Sequence, residues 1–553
     1  MRRTLTSKTR LESLRKEAKR WLKAVRAGDT KAIERLKAAL AGPRPQPGLR
    51  DVQHALALEY GLPGWTALKA AIAETSPASR NDADRLDTLL RHGWSGDISA
   101  AERILVRHPQ LARHDLYTAA TCGLTSEVQK HLARDPAAAT RTGGTMEWSA
   151  LAYVAYGRLD PQNAVPIARH LLAAGADSRF SFNDGWDNPF TLICGAIGLG
   201  EQNKSTHPQA GDLIELLIQA GADPYDRQAL YNISVGGGDD PDWYERLWQL
   251  CERKNGADAW RAEDRGFLGK TMLDYLLGNA VGQNHVARAQ WLLDHGADAN
   301  TSHAYTRDSL HKLAQLSGFH DLVLLLEAHG ASPARLTGVE ALIAAALRKD
   351  ESAVRALLAD SPGLIRDPHP LLAAAAHGHA QATALLLATG VDPCGVDKDG
   401  ISPLHRAVQA GSLAVADLLI DAGAEIDLRE YKWKGTPLTW ALVLNQPHIA
   451  QKLAPISEDV RGLAALPDLP RLAALLADQP ELANHRLDVE ERPTPLYCLP
   501  EDEDMAVEVA ELLLDRGADP DLRNSQGHSP AQVARKRGLD DAADLIETAA
   551  RTP

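Results

Sequence analysis

A short motif limits what this chain can fold into: two leucines, then within a few residues Gly-Ala-Asp or a close variant. It stands at LLAAGAD (171–177), LLIQAGADP (216–224), WLLDHGADAN (291–300), LLLATGVDP (385–393), LLIDAGAEID (418–427) and LLLDRGADPD (512–521). Gly296 to Gly330 is 34 residues, Gly390 to Gly423 is 33, and Gly423 to Gly517 is 94, close to three periods. Glycine at that point can end a helix in the left-handed conformation, where a Cβ would clash. A second ending, with Pro instead of Gly, fills the gaps at HPQLA (108–112), DPAAA (135–139), SPGLI (361–365) and QPELA (479–483). Proline stops a helix there. Together the two endings predict about 13 or 14 helix pairs between residue 85 and the C-terminus. One pair cannot bury its own apolar face, so neighbours must stack, and the expected fold is all-α.

The clearest copy is ISPLHRAVQAGSLAVADLLIDAGAEID (401–427). Serine caps its first helix, proline fits the first turn because its missing N–H has no partner there anyway, and leucine faces the core. This pattern resembles the ankyrin repeat. The resemblance implies a solenoid of stacked helix pairs, with first helices and turn fingers lining a concave groove. It also implies a binding scaffold, because proteins of this family usually recognise other proteins. The stretch LRDVQHALALEYGLPGWTALKA (49–70) resembles a helical module found ahead of such repeats in bacterial proteins. The expected organisation is therefore a basic helical domain at 1–80 and an ankyrin repeat solenoid at 81–553, with distended, aromatic-rich repeats at 145–305.

Charge is unevenly placed. Residues 1–50 hold 15 Lys/Arg against 4 Asp/Glu, whereas the rest of the chain is acidic and the whole carries −13. Leu11, Leu14, Ala18, Trp21, Leu22 and Val25 recur at helical spacing with Arg15, Lys16, Lys19, Arg20, Lys23 and Arg26 on the remaining surface. Such a stripe suits nucleic acid or anionic lipid through residues 1–50; the plainer reading is a solvated face whose apolar side docks on neighbouring helices. No apolar run approaches the roughly 18 residues needed to span a bilayer, so no transmembrane segment is expected. Cys122, Cys194, Cys251, Cys394 and Cys498 lie far apart with no Cys-x-x-Cys pair, which predicts free thiols, no cysteine metal site and a reducing cytoplasm. No cofactor or metal is expected. A repeat stack closed at each end by a polar cap predicts a monomer, with 539–553 as one cap and the N-terminal helices as the other.

Residues 148–305 depart from plain repeats. They contain six of 11 Trp, seven of 11 Tyr and four of five Phe. Their repeats are also longer, and inserted loops on one face of a solenoid commonly carry its binding site. Trp186, Asp187 and Asn188 form one finger tip. Tyr231 and Asn232 replace the usual Leu-His, Asp239 and Asp240 follow three glycines, Trp243 comes just after, and Asn279, Gln283, Asn284 and His285 end one helix and begin the next. Aromatic walls with a few convergent polar atoms describe a small-molecule or side-chain pocket. In an enzyme, His285 would act as general base with Asp239 or Asp240 orienting it. The competing reading assigns the amides to capping and inter-repeat hydrogen bonds, and Trp291, Trp248, Phe190 and Tyr275 to the core.

A second patch is REYKWKGTPLTW (429–440), where Tyr431, Trp433 and Trp440 surround Lys432 and Lys434 on an overlong finger, a surface suited to an anionic or aromatic protein partner. Three functions follow in order of expectation. The first is a cytoplasmic scaffold holding a partner protein in its groove. The second is an ankyrin-framed enzyme or small-molecule binder using residues 148–305. The third is a tether acting through the basic arm.

Overall fold

The computed structural model describes residues 3, 9, 11–40, 47–62, 64, 65, 67–69, 72, 82–94, 98–183, 188–200, 205–254, 256–466, 469–487 and 493–551. The chain forms two units, Met1–Ser79 together with Thr337–Pro553, and Arg80–Leu336, so the second is inserted in the sequence of the first. Each unit consists of antiparallel helix pairs, and no helix among the described residues is long and apolar enough to cross a membrane.

Every letter of the recurring motif has a job in the backbone. The carbonyl of its leucine accepts a hydrogen bond from the residue after the glycine: Ala176 to Leu171, Ala222 to Leu217, Ala297 to Leu292, Ala331 to Leu326, Ala424 to Leu419 and Ala518 to Leu513, all at 2.9–3.0 Å. This six-residue ring closes only if the glycine turns left-handed, and Gly296 and Gly423 have φ of 100° and 86°. The aspartate then accepts from the N–H two residues on, as Asp177 does from Arg179 and Asp298 from Asn300. The proline endings become single 3-10 turns, Pro109–Arg113, Pro136–Thr140, Pro362–Arg366 and Pro480–Asn484.

First helices begin as their sequence predicts. Ser149, Thr191, Thr271, Ser309, Ser402, Thr436 and Ser529 each accept the N–H three residues on, which satisfies a donor that the helix leaves unpaired. Before three of these helices the chain makes two-residue antiparallel ladders that pair Gly143 with Trp148, Phe182 with Phe190 and Asp264 with Lys270. These are the fingers of the 80–336 unit. Its core holds most of the aromatic surplus, with Trp148, Tyr153, Tyr156, Phe190, Tyr244, Trp248, Trp260, Phe267, Tyr275 and Trp291 all buried.

In the other unit the N-terminal helices Leu11–Arg26, Thr30–Ala39 and Leu49–Glu59 bury Leu14, Ala18, Trp21, Leu22 and Val25, the apolar stripe of the sequence, while Lys16, Arg20, Lys23 and Arg26 stay exposed. Arg35 pairs with Glu59 at 2.7 Å and with Glu17 at 2.9 Å, so part of the basic charge is neutralised inside the module. Another part reaches across to the final repeats. Arg15 Nε lies 2.5 Å from Asp541, the indole N–H of buried Trp65 donates to the same carboxylate at 2.7 Å, and Lys69 pairs with buried Glu503. Glu503 also accepts the N–H of Asp541 at 2.5 Å. The final helix, Asp540–Ala550, is therefore no free polar cap: the N-terminal module lies against it and covers Asp541. The expectation that the two ends cap separately fails because the acidic last repeat and the basic module neutralise one another.

Two outcomes follow. Asp541→Ala leaves Arg15 and the Trp65 indole without their shared acceptor and lowers stability in urea unfolding by about 3 kcal/mol. His405, buried beneath the next finger, has its pKa pushed down to about 4 by burial, against an ordinary value near 6.5. The fold holds the neutral ring, so its stabilisation is complete above pH 6.5 and is lost as pH falls from 6.5 to 4. Stability at pH 4 should fall by up to about 3 kcal/mol from this residue, and His405→Gln should flatten that part of the profile.

Candidate functional site

The polar residues of 227–288 converge, and their geometry shows what they hold. In the last turn of helix Arg227–Val235, Ser234 carries Asn279 on its hydroxyl at 2.9 Å and Gln283 on its carbonyl at 2.7 Å, two bonds between consecutive repeats. Asn232 is fully buried: its amide donates to Gly198 and faces Cys194 Sγ, both at 3.3 Å, while its oxygen accepts from Gln228 at 3.0 Å. Asp239 caps helix Val286–Asp294 by accepting the N–H groups of Ala287 and Arg288, each at 3.1 Å. Asp240 accepts from its own loop, at the N–H of Asp242.

Arg288 organises this node, and the sequence reading passed it over. It is 2% exposed and donates to the carbonyls of Ile233 at 2.6 Å, Gly236 at 3.2 Å and Asp240 at 3.1 Å. Its guanidinium thus ties down the glycine-rich loop, and its ring contact with Tyr244 lies at 5.3 Å. An arginine amid VARAQWLL, where a plain repeat carries small or apolar residues, is the signal that marks it. His285 begins the same helix. Burial and the Arg288 charge lower its pKa, partly offset by Asp239, and no hydrogen bond joins it to either aspartate among the described residues. Asn284, at φ 58°, is exposed, as is Gln283. Tyr231 and Trp243 are half-buried on the core, Trp243 with Arg246 at 5.5 Å. The arrangement locks one repeat onto the next.

Asn188 lies elsewhere, in a cleft of about 380 Å³ between two fingers, lined also by Arg179, Tyr225, Asp226 and Gln228. Trp186 and Asp187 lie outside the described residues. Asp226 takes the capping role that Ser or Thr plays in other repeats, accepting from Ala229 at 2.9 Å and from Thr191; burial raises its pKa. The Tyr225 hydroxyl has no hydrogen-bond partner among the described residues, and burial pushes its pKa up to about 12. Tyr225, Asp226 and Gln228 were not among the expected site residues, and Asp226 carried no distinguishing signal, since Asp115 caps a first helix in the same way.

The 429–440 patch is a rigid finger. Buried Glu430 accepts the N–H groups of Lys432, Trp433 and Gly435 at 2.7–3.0 Å, so one carboxylate fixes the whole tip. Tyr431 N–H donates to Asp399 of the preceding finger at 2.8 Å, and its ring lies over Gly400, where an added Cβ would come within 2.6 Å. Trp433 is 64% exposed and Tyr431 56%, with Lys432 Nζ 4.2 Å above the Trp433 ring and Lys434 Nζ 5.7 Å from that of Tyr431. Trp440 is half-buried, edge-on to His405 at 5.1 Å.

The caps, left-handed turns and fingers are those of ankyrin repeats. The family description "Ankyrin repeats (3 copies)" matches residues 342–430 and, overlapping, 371–461. Residues 342–461 thus carry ankyrin repeats. It is similar to YahD of Escherichia coli (strain K12), a protein named for ankyrin repeats, with 26% identity over 191 residues that cover 32% of this chain and 94% of YahD. Among solved structures it is similar to the human ASB11 ankyrin repeat domain, at 24% identity over 37% of this chain and 96% of that one, with a TM-score of 0.26. A chain in the structure of the Bd0816 predatory endopeptidase from Bdellovibrio bacteriovorus with immunity protein Bd3460 is also similar, at 21% identity over 32% of this chain and 96% of that one, with a TM-score of 0.25.

Arg288→Met, which keeps much of the side-chain volume but removes every donor, should leave the carbonyls of Ile233 and Gly236 unsatisfied and cost about 3 kcal/mol in urea unfolding. Amide hydrogen exchange through 236–240 should quicken in the same variant.

Proposed function

We propose that this chain is a protein-recognition scaffold, working in the cytoplasm as a monomer, whose contact surface in the Thr337–Pro553 unit centres on the 429–436 finger. The exposed Trp433 and Tyr431 carry this reading. Large aromatics held in water on an immobile backbone are costly unless something covers them, and preorganised aromatic anchors supply most of the energy in protein interfaces. Glu430 provides the preorganisation, since the tip has little conformational freedom left to lose on binding. The five free cysteines suit a reducing compartment.

A peptide library displayed on phage and selected on the full chain tests it. Selected peptides should bind a Tyr431→Ala/Trp433→Ala chain about tenfold more weakly or worse, with its circular dichroism unchanged. Equal binding to both chains would remove the finger from the interface.

The cleft at Asn188 supports a second reading, a binder of small polar molecules, because the Tyr225 hydroxyl at its wall has no hydrogen-bond partner among the described residues. A thermal-shift screen of sugars, nucleosides and amino acids should then find a stabiliser whose effect disappears in Tyr225→Phe and Gln228→Met; no stabiliser in any of these classes argues against it.

A further inference from the structure

Helix Val460–Ala464 occupies in its repeat the place that Pro403–Gln409 occupies two repeats earlier, and the carbonyl of Arg461 accepts the N–H of the C-cap Ala465 as that of Arg406 accepts the N–H of the C-cap Ala410, so Arg461 stands where Arg406 stands. Arg406 has acceptors there: its guanidinium donates to Asp397 at 3.0 Å and to the side-chain oxygen of Gln409 at 2.9 Å. Arg461 is 9% exposed and makes no side-chain hydrogen bond to any described residue, with its Nε shut off from solvent. One N–H of a permanently charged group is thus buried without an acceptor among the described residues, an arrangement proteins avoid unless an anion completes it.

The surroundings are cationic as well. Arg429 and His485 lie near, with the Cys498 thiol and one carboxylate, Asp459. That carboxylate is already engaged. It pairs with Arg429 at 3.0 Å and accepts from the hydroxyls of Thr436 and Thr439, both at 2.8 Å, so it offers Arg461 little. Arg429 also donates to the carbonyl of Lys434 at 2.9 Å, which joins this cluster to the base of the aromatic finger, whose rim carries Lys432 and Lys434.

We propose that the surface beside the 429–436 finger takes an acidic peptide segment of a partner protein, one carboxylate of which seats on Arg461 while its flanks pack on Trp433 and Tyr431. The proposal rests on the scaffold reading and adds the chemistry of the partner. A guanidinium grips a carboxylate through two parallel N–H bonds, and the surplus of positive charge excludes a basic or neutral segment from the same seat.

Fluorescein-labelled octaglutamate and octaglutamine, titrated by anisotropy against the full chain, test it. Octaglutamate should bind and octaglutamine should not; Arg461→Gln should weaken octaglutamate by about tenfold or more, Arg461→Lys by less, and Arg366→Gln, on an exposed turn elsewhere in the unit, not at all. Without peptide, Arg461→Met should raise the melting temperature, because it removes an unpaired buried charge. Equal affinity of the wild type and Arg461→Gln for octaglutamate overturns the proposal. So does a lower melting temperature for Arg461→Met, which would mean that the guanidinium has an acceptor within the chain. If peptides selected by the wild type still lose affinity with Tyr431→Ala/Trp433→Ala, the scaffold reading survives that failure.

Discussion

The bond from the residue after each turn glycine back to the leucine carbonyl five residues earlier is the interaction on which the rest depends. It ends each second helix at a fixed point and sends the chain sideways toward the next finger. Because Ala424 to Leu419 and Ala297 to Leu292 are the same bond in two different units, each pair presents its apolar faces at the same offset to its neighbours. A helix pair alone has no interior, so this repeated geometry is what lets Leu404, Leu438 and Leu463 be fully buried.

Where repeats are distended, polar side chains do work that regular packing does elsewhere. Arg288 holds three carbonyls of a glycine-rich loop, and Arg158 donates to the carbonyls of Ala155, Gly157, Gly195 and Ser205. Both charges lie among backbone oxygens. Extra loop length brings extra carbonyls into the interior, each of which needs a donor, and a guanidinium supplies five from a single side chain. The aromatic surplus answers the same problem from the apolar side: longer segments leave wider gaps, and Trp148, Tyr156, Phe182 and Phe190 fill one of them at centroid separations of 4.6–5.6 Å.

Arg461 differs from these two arginines in holding no carbonyl among the described residues, and the N-terminal module shows the opposite case, in which Arg15, Arg35 and Lys69 each meet an acid. Arg15 and Lys69 find Asp541 and Glu503, and Arg35 finds Glu17 and Glu59. The charge asymmetry of the sequence is thereby partly an internal fit between its first and last segments. The exposed remainder, Lys16, Arg20, Lys23 and Arg26, is the face that the helical pattern left to solvent.

The helix pairs, their caps, their glycine and proline endings and the apolar stripe of the first helix were legible in the sequence, because each depends on residues within a few positions of one another. The same holds for the burial of Trp248, Trp291 and Tyr275, which follows from helical spacing. What Asp239, Asn279, Gln283 and Asn232 do was not legible, since their partners in the neighbouring repeats lie 34 to 49 residues away and a polar residue facing a neighbour looks the same in sequence as one facing a ligand. Only the tertiary structure could decide that Glu430 makes a rigid finger, that Trp65 meets Asp541 across 476 positions, and that Arg461 is buried with its Nε–H unused among the described residues. Local backbone chemistry sets the repeat; which buried polar group has an acceptor depends on what stacking brings beside it.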